Sequence, residues 1–325
     1  MAADQLTSDL NHRVASRVGD LVRDAANLRL HVGLGAAGET IIDTGATMPG
    51  SLEAGRRVAE IAMGGLGQVW LAPSGRMPGG WEVCVSSAQP VMACLGSQLA
   101  GWKLQSTDGL FEALGSGPAR ALAAREPIIV ELGLAERAGT AVLVVEASQP
   151  LPAEVAAEVA AACRISPAFL TVILAPTTSL AGSVQIAARA LETAIGKAHR
   201  LKFPTGDILE GLASAPLAPP HPDSKVAMGR TNDSIIYGSQ VQLFVTGPSE
   251  AARDLARQLP STNSPAHGRF FADLYAEAGE DFYHLDAELF SPALVSVTAI
   301  EHGQTWTAGA LEFGRVAASF GSQPA

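Results

Sequence analysis

Residues 141–200 read AVLVVEASQPLPAEVAAEVAAACRISPAFLTVILAPTTSLAGSVQIAARALETAIGKAHR. Two runs in this stretch, AVLVVEA and LTVILAP, are short, continuous and rich in β-branched residues and Leu. That pattern predicts strands buried on both faces. Between them LPAEVAAEVAAAC reads as a helix that starts after Pro152, a residue suited to a first helical turn. Beyond the second strand, Thr177, Thr178 and Ser179 are N-cap candidates. Leu180, Val184, Ala187, Leu191, Ile195 and Ala198 then recur at spacings of three and four. This stripe predicts one long helix to about residue 201, the longest in the chain.

Outward from this βαβα module the chain alternates hairpins with further helices. Leu10, Val14, Val18, Leu21 and Val22 lie on one helical face. LRLHV and TIIDTG flank the loop GLGAAGE as hairpin strands. SLEAGRRVAEIAM is a helix with Ser51 as N-cap. GGLGQVWLAP and WEVCVSS read as strands, and ARALAAREP as a helix. Residues 213–222 are Pro-rich and predict an extended connector. SIIYGSQVQLFVTG reads as a hairpin turning at Gly238, SEAARDLARQLP as a helix and LVSVTAI as a last strand. The fold class predicted is mixed α/β (α+β). A length of 325 residues suggests two domains of α/β type. We place the boundary near residue 175, giving 1–175 and 176–325, with the long helix in the second; the chain could cross between them more than once.

Hydrophobic residues make up 47% and charged residues 17%, enough for a large core. The formal net charge of -10 argues against a nucleic-acid binder, which needs a basic face. No apolar run is long enough for a membrane span, and no secretory signal is visible. Cys84, Cys94 and Cys163 are widely spaced without a CxxC pair, so neither a disulfide framework nor a zinc site is expected. The expectation is a cytoplasmic, reduced protein.

Gly33, Gly35 and Gly38 spell GxGxxG, but a dinucleotide site needs that run to open a helix. Here it leads into a strand, and a hairpin loop is the better reading. The seven histidines show no HxxxH or HExxH pairing, so no metal site is supported.

Four segments carry groups suited to chemistry. On a second face of the long helix lie Gly182, Gln185, Arg189, Glu192 and Gly196. Arg189 and Glu192 stand one turn apart. They fit either a surface ion pair or a carboxylate and guanidinium projecting into a cleft. In LGSGPARAL, Ser116 is a candidate N-cap, Gly117 permits close backbone approach, and Arg120 sits in the first turn; such a start could hold an anion. CLGSQLAGW carries Gln98 among small residues that could line a flat ligand or pack loop on loop. GRTNDSIIYG places Asn232 and Asp233 before a predicted strand, where polar side chains face a site or form a turn.

Seven segments, IIDTGATMPGSLEAG, MGGLGQV, CLGSQLAGWKLQ, ALGSGPARALA, APTTSLAGSVQIAARALETAIGKAH, MGRTNDSIIYG and AGEDFYHLDAELFSP, together resemble the methenyltetrahydromethanopterin cyclohydrolase family, in order from about residue 30 to about 310. The resemblance implies reversible hydrolysis of N5,N10-methenyltetrahydromethanopterin to the N5-formyl product. It implies a pterin substrate in a cleft between two domains, a homotrimer, no metal and no organic cofactor. It makes Glu192 and Arg189 the catalytic pair. Gln98, Ser116, Gly117, Arg120, Gln185, Asn232 and Asp233 are then candidates for holding substrate. In bacteria such an enzyme serves formaldehyde oxidation; the scarcity of Lys beside Arg leans that way. Another tetrahydropterin one-carbon enzyme, or an inactive pterin-binding protein, are the alternatives.

Overall fold

The computed structural model describes residues 9–76 and 78–321. The chain opens with α1 (Leu10–Arg23), α2 (Ala25–Leu28), β1 (His31–Leu34), β2 (Thr40–Asp43) and α3 (Leu52–Ala62). Next come β3 (Gln68–Pro73), β4 (Trp81–Ser87), a π-helical turn (Met92–Gln98), β5 (Trp102–Gln105), β6 (Glu112–Ser116), α4 (Ala119–Ala123) and α5 (Pro127–Glu131). Then follow β7 (Ala141–Val145), α6 (Ala153–Ala162), β8 (Leu170–Leu174), α7 (Leu180–Ala187) and α8 (Ala190–Arg200). The remainder is β9 (Ile208–Pro216), α9 (Ser224–Gly238), β10 (Gln240–Val245), α10 (Ser249–Gln258), α11 (Phe271–Glu277), β11 (Leu294–Ala299), β12 (Gln304–Gly309) and α12 (Phe313–Phe320). The fold is α+β, with two mixed six-stranded sheets. Two compact units divide the chain: residues up to Leu66 with Met92–Ala181, and Gly67–Val91 with the residues from Gly182 onward.

The first unit holds the sheet β1-β2-β8-β7-β6-β5. β2, β8 and β7 are parallel neighbours, and hairpin pairings flank them. β7 and β8 are covered on both faces. Leu143, Val145, Val172 and Leu174 pack with Val155 and Val159 of α6. Val142, Val144 and Ile173 pack with Val14 and Leu21 of α1 and Val58 and Ile61 of α3. Double burial is why both strands read as unbroken apolar runs. The Ser51 hydroxyl accepts from the Ala54 N–H, capping α3 as expected. The GxGxxG run closes the β1–β2 hairpin. A side chain at Gly35 would collide with the Glu39 carboxylate, which is folded under the loop.

The second unit holds the sheet β12-β11-β10-β9-β4-β3, in which only β10 and β11 run parallel. Val83, Val85, Ala213, Ala215, Val241, Leu243, Val295 and Val297 are buried, alternating with more exposed neighbours along β10 and β11. α8 lies on this sheet: a side chain at Gly211 would come within 2.6 Å of Leu191. A further core gathers Tyr237, Phe271, Leu289, Val316 and Phe320 from α9, α11, α12 and the loop before β11. No helix among the described residues is long and apolar enough to cross a membrane.

Three expectations need correction. Residues 229–238 are not a polar strand mouth and hairpin turn but the body of α9. Asp223 caps that helix, accepting from the N–H groups of Lys225 and Val226. Ile235, Ile236 and Tyr237 are β-prone, yet all three are buried in its packed faces, so tertiary contact overrides propensity. The long helix expected over 179–201 is two helices. The backbone at Arg189 (φ -80, ψ -2) stays right-handed, but its N–H bonds the Ile186 carbonyl three residues back, so the ladder tightens to a turn there. α9, with 15 residues, is therefore the longest helix among those described. The Pro-rich connector is shorter than expected, because β9 extends through Pro216.

Candidate active site

The break between α7 and α8 sets the geometry of the pair. Arg189 becomes the cap residue of α8, and Glu192 falls in its first turn. There the helix macrodipole favours a negative side chain. The Arg189 Nη1 donates to Glu192 Oε2 at 3.1 Å, with the side chains only 10% and 9% exposed. This is no surface ion pair. Withdrawing two charges from water can cost more than their mutual attraction returns. Gln185, four residues earlier, is buried, and its Oε1 has no hydrogen-bond partner among the described residues. An unmet buried amide oxygen costs about 1–3 kcal/mol, a cost that a ligand donor would relieve.

Two residues that sequence reasoning left aside hold α8 in place. The Lys197 side chain is fully buried, and its Nζ donates to the carbonyls of Pro260 and Glu288 at 3.3 and 3.2 Å. The Glu288 carboxylate lies 3.3 Å from that nitrogen, and burial pushes the lysine below its ordinary value. Arg200 Nη2 donates to the Ala287 carbonyl at 2.9 Å. The signal for Arg200 was its spacing: Glu192, Gly196 and Arg200 recur every four residues on one helical stripe.

The candidates in the first unit form a different cluster. Ser116 ends β6 and donates its hydroxyl to the Gln98 carbonyl at 2.6 Å. Gly117 adopts φ +93, and its N–H donates to the Ser97 carbonyl. A side chain there would press on the Val142 carbonyl at 3.2 Å, so this position needs glycine on both counts. Arg120 is turned inward. Its Nε and Nη2 grip both oxygens of Glu126 at 2.7 Å, and Nη1 donates to the Leu95 and Ser97 carbonyls at 3.0 Å. α4 has only five residues, starts after Pro118 and carries Arg120, already engaged by these partners, in its first turn. Together Ser116, Gly117 and Arg120 clasp the end of the π-helical turn, where Gln98 is fully buried.

Asn232 and Asp233 face their own surroundings in α9. The Asn232 amide donates to the Met228 carbonyl. Asp233 accepts from the Phe271 N–H at 2.9 Å and the Ser319 hydroxyl at 2.6 Å, tying α9 to α11 and α12. Burial is the largest influence and lifts its carboxyl from 3.8 to about 6 against the pull of those two bonds. The folded chain therefore holds this proton more tightly than the unfolded one. That stabilisation is full below about pH 4 and disappears as pH rises through 6. Asp233→Asn keeps an acceptor for Phe271 and removes the titration. Its stability relative to wild type, measured by denaturant melts at each pH, is expected to climb between pH 4 and pH 7 by an amount on the order of 2 kcal/mol. A difference that stays constant over this range would refute the assignment.

Among the described residues no group of three His, Cys, Asp or Glu is placed to hold a metal ion. What the fold offers is an α+β scaffold presenting a buried carboxylate–guanidinium pair at a helix start, and the comparisons put that scaffold in the cyclohydrolase class. Residues 9–320 match the family profile described as Cyclohydrolase (MCH). A methenyltetrahydromethanopterin cyclohydrolase of Xanthobacter autotrophicus is 53% identical, over 95% of this chain and 91% of its own. One of Methylobacterium organophilum is 50% identical over 98% of this chain and all of its own length. One of Methanospirillum hungatei is 37% identical over 87% of this chain and 90% of its own. The chain belongs to the methenyltetrahydromethanopterin cyclohydrolase family. By that membership it is a hydrolase.

Proposed function

We propose that the protein interconverts N5,N10-methenyltetrahydromethanopterin and the N5-formyl compound, with Glu192 as the base. The observation that carries the mechanism is the buried Arg189–Glu192 pair at the start of α8. The methenyl carbon lies between two nitrogens and shares their positive charge, so it is already electrophilic. No further activation of the carbon is required, which is why we propose a reaction without metal or organic cofactor. Water needs a proton acceptor as it adds. A carboxylate suits this role, also balances the cation's charge, and can return the proton to N10 as that bond breaks. Arg189 holds the carboxylate in one orientation and offsets its removal from water.

The remaining assignments rest on the family likeness. They are a homotrimer, a cytoplasmic setting, a place in formaldehyde oxidation, and substrate contacts by Gln98 and Gln185. The test of the activity is direct. Purified protein mixed with the methenyl compound is expected to bleach the methenyl chromophore and release one proton per turnover, and to restore the chromophore from the formyl compound in acid. Absence of turnover in both directions would overturn the reading.

A further inference from the structure

A glycine inside a helix is destabilising relative to alanine, so a buried one needs a reason. In α9 the reason is steric. A Cβ at Gly229 would lie 3.1 Å from that of Ala272, and one at Gly238 would lie 2.7 Å from Pro216. Gly196 in α8 is equally buried and has no such neighbour. A Cβ there would meet Glu192 Oε1 at 3.8 Å and Arg200 Nη1 at 3.6 Å, ordinary contact distances, and among the described residues nothing else within 4 Å beyond its chain neighbours and the local helix backbone. Alanine would fit and would make a better helix.

The two atoms beside Gly196 are chemically specific. Glu192 is engaged by Arg189 through Oε2, while Oε1 faces Gly196. The Glu192 side chain is nine-tenths buried, and Oε1 accepts no hydrogen bond among the described residues. Arg200 is held by the Ala287 carbonyl through Nη2 and approaches Glu288 through Nε, leaving Nη1 toward Gly196. A methyl group displaces about the volume of one water molecule, roughly 30 Å³. The room that glycine leaves is thus water-sized, with an acceptor on one side and a donor on the other.

We infer that Gly196 is a positioning residue that seats the attacking water between Glu192 Oε1 and Arg200 Nη1. This rests on the proposed cyclohydrolase reaction. The seated water donates one hydrogen to Oε1 and is held by Nη1 through its oxygen. Its remaining lone pair forms the new C–O bond at the methenyl carbon as the O–H bond breaks toward Glu192. In the resulting N5–CH(OH)–N10 adduct the C–N10 bond then breaks, with its electron pair going to N10. Glu192 returns its proton to N10, and the adduct hydroxyl loses its proton to solvent as the formyl C=O forms. One water is consumed and one proton released.

The test is Gly196→Ala, assayed beside wild type. A methyl group in the water's place should lower kcat roughly 10–100-fold while KM stays within about threefold, the cost of a misplaced reactant. The same variant should melt higher, by roughly 1–4 °C, because alanine favours the helix. An activity loss together with a stability gain is something a packing role cannot give. Unchanged kcat, a raised KM with unchanged kcat, or a lowered melting temperature would each overturn the inference. If wild type fails to turn over the methenyl compound, the functional reading falls and this inference with it. If wild type is active and the variant equally so, the water seat alone is refuted.

Discussion

Glu192→Gln is expected to lower kcat roughly 10²- to 10⁴-fold, equivalent to about 3–5 kcal/mol of barrier, with KM little changed. The substitution preserves shape. An amide oxygen can still accept from Arg189 Nη1, which lies 3.1 Å from the native carboxylate. What is lost is the ability to take a proton from water and return it to N10. The variant also removes the charge that Glu192 sets against the Arg189 guanidinium, whose side chain is 10% exposed, so some loss of stability accompanies the change. A melting curve and a circular dichroism spectrum separate that loss from the kinetic one. Near wild-type turnover in a folded Glu192→Gln protein would remove Glu192 from the base role.

The parts of this site that sequence could reveal are those written in local spacing. Arg189 and Glu192 are three residues apart, and helical period alone brings them together. The same holds for β7 and β8, whose continuous apolar runs follow from cover on both faces. Ser51 is legible for the same reason, since an N-cap bonds a donor three residues on. Long-range partners are different. Lys197 bonds carbonyls 63 and 91 residues away, and nothing near it in the chain announces that a lysine will be fully buried. β12 is mostly exposed on both faces, so it lacks the alternation that marks a strand. α9 was obscured by β-prone residues whose packing partners lie in α11, α12 and the loop before β11. The interruption at Arg189 has no proline or glycine to mark it, yet it is what makes Glu192 a first-turn residue.

Arg120 shows how the same ambiguity decides an experiment. As an anion ligand at an open helix start it would be dispensable to the fold, and Arg120→Ala would raise KM without moving the melting temperature. The geometry gives the opposite expectation. The side chain is 0% exposed, forks onto Glu126 and donates to two carbonyls of the π-helical turn. Alanine would strand the Glu126 carboxylate, whose side chain is 15% exposed, and remove a donor from Leu95 and Ser97. Breaking such a pair from one side costs about 3–5 kcal/mol. For a unit of this size that corresponds to a fall of roughly 6–20 °C in melting temperature. Arg120→Lys should recover little, because one ammonium cannot span both carboxylate oxygens and both carbonyls. Replacing Arg120 and Glu126 together by Met and Leu should recover much more, since no charge is then left buried alone. An Arg120→Ala protein that melts like wild type would return this arginine to the ligand-binding candidates. A large loss in the single variants with recovery in the double variant would assign it to the clasp that fixes Gln98.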